Sequence, residues 1–168
     1  TVPFAFKYAG FPYEGHVDNI TQTKDILPTI LAVAGIDCGI KFDGRDMTKA
    51  VTGEGVREEP EFYITEATWM RKHGWRTPEW KLMVALEPDF PFKPEIELYN
   101  LIDDPGENHN VAEENPDVVA FLRARMEAHI KKREAEVGHP NPMYTNLNWS
   151  GFGRPFVSSQ EAYDNLHI

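Results

Sequence analysis

The sequence predicts an α+β fold, in which a small antiparallel sheet packs against one long helix towards the C-terminal end. Between positions 61 and 102, short runs rich in large apolar and aromatic residues alternate with turn residues, as in strands joined by tight connections. From Pro116 to about Val137, apolar residues instead recur at four-residue steps, which indicates an amphipathic helix lying on a sheet. The predicted strands cover residues 61–66, 75–77, 80–86 and 96–102.

The first part of the chain is expected to contribute one strand and one short helix. Residues 2–8 alternate aromatic residues with small ones and indicate a strand, which Pro3 confines to a sheet edge or to the start of a strand. Residues 25–35 carry apolar positions at helical spacing. Asp25 is suited to cap this helix, and Gly35 is suited to end it in the left-handed conformation.

A Gly- and Glu-rich run at residues 52–60 reads as a linker and sets the predicted boundary between two parts. Residues 1–55 form the first part, and residues 56–138 form the sheet and its long helix. Residues 139–168 lack any period and predict an irregular tail that wraps the surface. Four aromatic side chains are the expected anchors of that tail: Tyr144, Trp149, Phe152 and Phe156.

Composition and charge exclude several classes of protein. Of the 168 residues, 41% are hydrophobic, which fits a folded domain rather than a disordered chain. A net charge of −10 argues against a nucleic-acid partner, because phosphate backbones are bound by Lys and Arg. No apolar run reaches the length of about 20 residues that spans a membrane, and no signal peptide is visible. The first residues already resemble the inside of a fold, so we expect the C-terminal part of a longer protein.

The segment around which the chain is organised lies at residues 95–115. A strand-like run ends in Asp-Asp-Pro-Gly, a strong turn signal, and Asn115 followed by Pro116 then starts the long helix. Its central phrase, E-L-Y-N-L-x-x-D-P-G-E-x-x-N-V-A at residues 97–112, resembles the C-terminal signature of the sulfatase family, E-L-Y-D-L-x-x-D-P-x-E-x-x-N-L.

Three further phrases resemble the same family, in the same order along the chain. D-I-L-P-T-I-L-A-V-A-G at residues 25–35 matches its short helix, and D-G-R-D at residues 43–46 stands where members usually carry D-G-x-S. Asp46 thus replaces the serine. R-T-P-E-W-K at residues 76–81 is similar to the phrase R-T-x-x-[WY]-K. The resemblance covers residues 1–136.

The resemblance implies a parent sulfatase of the alkaline phosphatase superfamily, which hydrolyses sulfate esters on a small molecule or a glycan. Residues 1–55 would then hold the closing strand and helix of its α/β catalytic domain, and the rest of that domain would be the partner. The family uses formylglycine, matured within a C/S-x-P-x-R motif, together with calcium. Cys38 is followed by Gly-Ile-Lys-Phe and fails that motif, so no catalytic or metal-binding residue is assigned here. A periplasmic or secreted parent is compatible with the resemblance.

Two other readings stay open at this point. The parent could be a phosphodiesterase or phosphonate hydrolase of the same superfamily, because this end of the chain carries no nucleophile. The chain could also be a non-catalytic module that needs a partner chain. The sequence before Thr1 would distinguish these readings from a sulfatase.

Two clusters are candidate sites within the chain itself. Asp103, Asp104 and Glu107 could bind a cation, but their spacing matches no calcium loop, so a solvated acidic turn is the favoured interpretation. The loop Trp69-Met70-Arg71-Lys72-His73 combines three potential cations with an indole, which suits an anionic sugar or aryl ester at the rim of a substrate pocket. The alternative, which we favour for this loop, is a solvated hairpin connection.

Overall fold

The computed structural model describes Ala5, Lys7, residues 19–52, Glu54 and residues 60–67, 70–87 and 93–145. The chain divides into two compact units, residues 1–60 and 61–168. Most of the predicted strand at residues 2–8, most of the linker, Trp69 and the tail beyond residue 145 lie outside the described residues. Among the described helices, none combines the length and apolar character that crossing a bilayer requires.

The first unit contains two helices, α1 at Ile26–Ala34 and α2 at Thr48–Thr52. Gly35 ends α1 with φ 67°, as the sequence predicts. The Asp25 carboxylate does not cap α1; it accepts the backbone N–H of Gln22 and that of Arg45 instead. Both segments beside α1 are thereby tied to one side chain.

Asp46, the residue that departs from the family phrase, lies two residues before the start of α2 and bonds its first residue. Its Oδ1 atom accepts hydrogen bonds from the backbone N–H of Thr48 at 2.9 Å and from the Thr48 hydroxyl at 2.7 Å. Asp and Ser are both favoured just before a helix, because their side-chain oxygens satisfy N–H groups that lack intrahelical partners. The replacement therefore keeps the local chemistry of the turn.

The second unit is built on a four-stranded antiparallel sheet in the order β1-β2-β3-β4. The strands are β1 at Phe62–Glu66, β2 at Lys72–Arg76, β3 at Trp80–Ala85 and β4 at Ile96–Asn100. Helix α3 at Pro116–Val137 covers one face of the sheet, and the four-residue helix α4 at Pro142–Thr145 follows. The predicted α+β class is confirmed.

The core lies between α3 and the sheet. Leu122, Met126 and Ile130 form the buried stripe of α3 at four-residue steps, as predicted. They pack against Trp75, Leu82, Val84 and Leu98 from the three strands β2, β3 and β4. Pro116 opens the helix and Gly138, with φ 76°, closes it, so both ends follow the sequence signals.

Strand β2 begins earlier than the sequence predicts. Residues 67–74 were expected to form a loop, because Arg71-Lys72-His73-Gly74 has no apolar residue, but Lys72 already pairs with Ala85 of β3. Gly74 lies in the middle of the strand. A Cβ atom there would stand 2.0 Å from the carbonyl oxygen of Leu82, so the close approach of the two strands requires glycine.

The outer edge of β4 is closed by a side chain rather than by a fifth strand. The Asn110 side-chain oxygen accepts the N–H of Leu98 at 2.9 Å, and its amide nitrogen donates to the carbonyl of Ile96 at 3.0 Å. The backbone N–H of Val111 adds a bond to the carbonyl of Leu98 at 2.9 Å. Asn110 is the asparagine of the family phrase, and its amide here takes the place of a neighbouring peptide group.

Candidate functional site

The structure separates the residues that the sequence grouped in one loop. Trp69 is outside the described residues, and Arg71 is half-buried just before β2. Lys72 and His73 are strand residues on opposite faces of the sheet, with exposed fractions of 5% and 2%. The prediction that they belong to an exposed loop is therefore wrong, because pairing with β1 and β3 extends the strand to Lys72. A direct role for them at a substrate rim stays a prediction.

Lys72 takes part in a buried charge network on the sheet face opposite α3. Its Nζ atom lies 2.7 Å from Oε1 of Glu97, whose side chain is also buried. The other carboxylate oxygen of Glu97 is 3.0 Å from Nζ of Lys93 and accepts the hydroxyl of Tyr99. The Glu97 carboxylate thus accepts hydrogen bonds from two ammonium groups and a phenol, which together satisfy most of its lone pairs.

The ionisation of this network follows from its geometry. Burial by itself would raise the pKa of Glu97, but the hydrogen bonds from Lys72, Tyr99 and Lys93 hold it below the usual range. The bond with Glu97 raises the pKa of Lys93. Burial raises the pKa of Tyr99, and the neighbouring carboxylate adds to that effect. Glu97 and Lys93 therefore both stay ionised at neutral pH.

His73 lies on the other face, within a cluster of aromatic rings. Its Nδ1 atom is 3.0 Å from the Tyr63 hydroxyl, and its ring meets the rings of Tyr63 and Tyr144 edge-on at 5.8 and 5.6 Å. His129 of α3 stacks on Tyr63 at 5.7 Å and lies 5.4 Å from Trp75. The cluster joins β1, β2, α3 and α4.

Arg71 is engaged with two segments that are distant in sequence. Its backbone N–H and its Nε atom donate to the Glu87 carboxylate at 2.6 and 3.2 Å. One terminal guanidinium nitrogen donates to the carbonyl of Met143 in α4 at 2.8 Å. These contacts fix the start of β2 and hold α4 against it.

The acidic turn after β4 does not gather its carboxylates around one point. Asp104 accepts the backbone N–H groups of Asn108 and His109 at 2.7 and 2.8 Å, which lowers its pKa, and Glu107 pairs with Lys81. In the described part of the chain, no three His, Cys, Asp or Glu side chains are grouped as metal ligands. The described residues therefore offer no group of side chains that would hold the calcium which the family resemblance implies for the parent enzyme.

One open cavity of about 390 Å³ lies between the sheet and the start of α3. Trp80 forms one wall, and the remaining lining comes from β4, the acidic turn and the helix start: Asn100, Asp103, Asp104, His109, Val111 and Asn115. Asn100 and Asp103 bond each other at 2.8 Å, so much of the polar lining is already used within the turn.

The residues that carry the family resemblance bond to one another. Lys81 of the phrase R-T-P-E-W-K pairs with Glu107 of the phrase D-P-G-E. In the first unit, Asp25 opens one family phrase and Arg45 lies in the next; their side chains form a buried ion pair at 2.8 Å. In the described residues, these sequence phrases therefore correspond to contacts that hold each unit together.

Sequence reasoning did not pair Lys72 with Glu97. The available signal was a glutamate inside the otherwise apolar strand of the central phrase, since a charge in such a position needs a buried partner. Lys72 could not be identified as that partner, because no local sequence pattern specifies the register in which β2, β3 and β4 pair.

The sheet with its covering helix has the fold of a sulfatase C-terminal region. A protein solved in complex with its substrate D-glucosamine-2-N,6-O-disulfate superposes with a TM-score of 0.52 at 22% identity, over 66% of this chain and 24% of that one. A 2-O GAG sulfatase superposes with a TM-score of 0.51 at 22% identity, over 82% of this chain and 31% of that one. At these identities the likeness concerns the fold.

The family itself follows from the sequence match. The model of the family N-sulphoglucosamine sulphohydrolase, C-terminal, matches residues 1–135, and the chain belongs to that family. An uncharacterized sulfatase of Schizosaccharomyces pombe is 33% identical over 115 residues. That alignment takes in 62% of this chain and 20% of the yeast protein, so the chain spans a fifth of that curated relative's length.

Proposed function

We propose that this chain completes the catalytic domain of a sulfatase, and that the parent enzyme hydrolyses sulfate esters. In this proposal the formylglycine, the calcium ligands and the groups that bind sulfate belong to the remainder of the parent. The relatives support the reaction class, because they are sulfatases. The chain's own residues would supply the packing that holds the catalytic domain together and the border of its substrate pocket.

The observation that carries the proposal is an exposed apolar stripe on α1. Leu27 and Ile30 lie one turn apart and are 53% and 50% exposed, and Ile36 just beyond the helix is also exposed. Large apolar side chains in a contiguous stripe mark a surface that another protein element covers. In the proposal, the covering element is the rest of the sulfatase catalytic domain.

Reconstitution from two polypeptides tests this proposal. The chain alone should release no sulfate from an aryl sulfate in the presence of calcium, whereas the chain mixed with the remaining part of its parent should do so. Leu27→Lys and Ile30→Lys should reduce the reconstituted activity by at least tenfold, because they place a charge on the stripe that must be covered. Ala32→Lys is the matched control, since it adds the same charge on the other side of α1.

Each result of the reconstitution bears on the proposal. Turnover by the purified chain alone would overturn it, and so would an unchanged activity in both stripe variants. If the mixture cleaved an aryl phosphate diester but no aryl sulfate, the parent would be a phosphodiesterase of the same superfamily. If the two parts bound without any turnover, a non-catalytic module would be the better description.

We also propose that the segment before β2, from Trp69 to Arg71, borders the substrate pocket of the parent. Lys72 and His73 are committed to internal contacts, so their part would be to fix the position of this segment. Trp69→Ala in the parent should then raise KM more than it lowers kcat. This pattern is expected when the lost side chain had contributed equally to binding the substrate and the transition state. Lys132→Ala on the exposed side of α3 serves as the control. Unchanged kinetics in Trp69→Ala would contradict this proposal, and the segment would then only connect β1 to β2.

A further inference from the structure

The Tyr63 hydroxyl stands between two side chains from different parts of the second unit. It accepts a hydrogen bond from the amide nitrogen of Asn141 at 3.0 Å and lies 3.0 Å from Nδ1 of His73. Because the amide nitrogen can only donate, the phenol keeps its own hydrogen for His73. When His73 is neutral and carries its proton on Nε2, Nδ1 accepts this hydrogen, and the three side chains form a directed chain of hydrogen bonds from Asn141 to His73.

The same region holds α4 in place through three other contacts. The Tyr144 ring meets the His73 ring edge-on at 5.6 Å. The guanidinium of Arg71 donates to the carbonyl of Met143, and the backbone N–H of Asn141 donates to the Glu134 carboxylate at 2.7 Å. Two of the contacts that hold residues 141–145 thus depend on His73, either directly or through Tyr63.

We propose that His73, Tyr63 and Asn141 form a proton-operated latch, which holds residues 141–145 on the sheet while His73 is neutral and releases them when it is protonated. A proton on Nδ1 turns the acceptor into a donor that points at the Tyr63 hydrogen. To accept this new bond, the phenol must turn its O–H away from His73, where the hydroxyl hydrogen crowds the amide hydrogen that Asn141 donates to the same oxygen. The bond from Asn141 is thereby weakened, and a cation is left among aromatic rings.

The surroundings of His73 favour its neutral form. Burial lowers the pKa of His73 from its ordinary value of 6.5, nearby Arg123 lowers it further, and Glu127 opposes both effects. Titratable or charged groups face it from every element packed there: Tyr63 on β1, Arg123, Glu127 and His129 on α3, and Tyr144 on α4.

The sign of the pH dependence follows from that lowered pKa. Release of residues 141–145 removes Tyr144 from the His73 ring and lets water reach it, so the pKa of His73 is higher in the released form than in the docked form. The released form therefore binds more protons between these two values, and docking weakens as the pH falls through that window. Within the window, the ratio of released to docked segment should rise about tenfold for each pH unit, because one proton is taken up.

The methyl group of Met143 reports on the latch directly. The full chain is labelled with ¹³C at its methionine methyl groups, Met143 is assigned with Met143→Leu, and the chain is titrated from pH 7.5 to 4.5 by NMR. The Met143 signal should move towards its value in an unstructured peptide as the pH falls. The Met126 signal should stay constant over the same range, because that methionine lies in the core under α3.

Three variants identify the titrating group. His73→Phe keeps an aromatic ring but cannot take a proton, so its Met143 signal should not respond to pH. Tyr63→Phe keeps His73 but breaks the link to Asn141, so Met143 should be largely released already at pH 7.5. His129→Gln should respond as the unaltered chain does, since His129 touches Tyr63 but does not bond the latch hydroxyl.

Several results would overturn the proposal. These are a constant Met143 signal in the unaltered chain, an unchanged response in His73→Phe, and loss of the response in His129→Gln. Simultaneous movement of the Met126 and Met143 signals would also overturn it, because acid would then unfold the whole unit instead of releasing one segment. If His73→Phe fails to fold, the Tyr63→Phe variant tests the proposal instead. A Met143 signal at its docked position at pH 7.5 in that variant would overturn it.

Discussion

Replacement of Leu122 by Ala is expected to lower the free energy of unfolding of the second unit by about 2–5 kcal/mol, and Met126→Ala should have a similar effect. Leu122 is 1% exposed and Met126 is 2% exposed, and both lie against the strands of the sheet. Removing either side chain loses buried apolar contacts and leaves a cavity, because the sheet is too constrained by its ladders to close the gap. Urea unfolding followed by far-UV circular dichroism measures the loss.

Phe121→Ala is the matched control on the same helix. Phe121 is larger than either core residue but is 59% exposed, and it contacts the guanidinium of Arg125 at 5.5 Å. Its removal should cost about 1 kcal/mol or less. Equal losses for Phe121→Ala and Leu122→Ala would contradict the assignment of the buried face of α3.

Glu97→Gln is the second change with a large expected effect, a loss of about 3–5 kcal/mol of stability. The substitution keeps the size of the side chain but leaves the buried ammonium of Lys72 without its counter-charge. Lys72→Met should cost less, about 1–3 kcal/mol, since Glu97 keeps its bonds with Lys93 and Tyr99. The structure therefore predicts an asymmetry between the two partners of one ion pair.

The double variant Lys72→Met with Glu97→Leu completes this test. Replacing both charges by apolar side chains removes the uncompensated ion, so much of the loss in Glu97→Gln should be recovered. Lys93 can turn to solvent, because it is half exposed already. A double variant as unstable as Glu97→Gln would mean that the packing of these side chains, and not their charge, determines the loss.

The pH dependence of stability offers an independent check on Glu97. Its pKa in the folded chain lies below the ordinary value of 4.5, so the folded state binds fewer protons than the unfolded state does. The resulting stability is fully present above pH 4.5 and is lost as the pH falls through the lowered folded value. In Glu97→Gln this part of the acid-induced loss should disappear.

The parts of the fold that local chemistry determines were predictable from the sequence. Pro116, Gly138 and the four-residue apolar repeat between them predict helix α3, and the structure confirms its start, its end and its buried face. Strand β4 and the turn after it were predictable because apolar residues give way to Asp-Pro-Gly within a few positions. These signals act within one or two turns of the chain.

The candidate site could not be predicted in the same way. Lys72 and His73 look like loop residues, and only their pairing with β1 and β3 makes them strand residues. The partners that bury them, Glu97 and Tyr63, are 25 and 10 positions away in the sequence. The cluster of basic residues thus predicted that Lys72 and His73 are exposed. The tertiary fold instead brings Glu97 and Tyr63 next to them, so that both side chains can be buried.

The side chain of Asn110 also determines where this sheet can be extended. An uncovered strand edge offers a row of free peptide groups, and any extended segment that meets it can pair with them. Asn110 occupies two of those groups on β4, so a fifth strand cannot align there without displacing it. At the opposite border, β1 has no strand beside it in the described part of the chain. A strand contributed by another segment or another molecule would therefore meet the Asn110 side chain at the β4 edge.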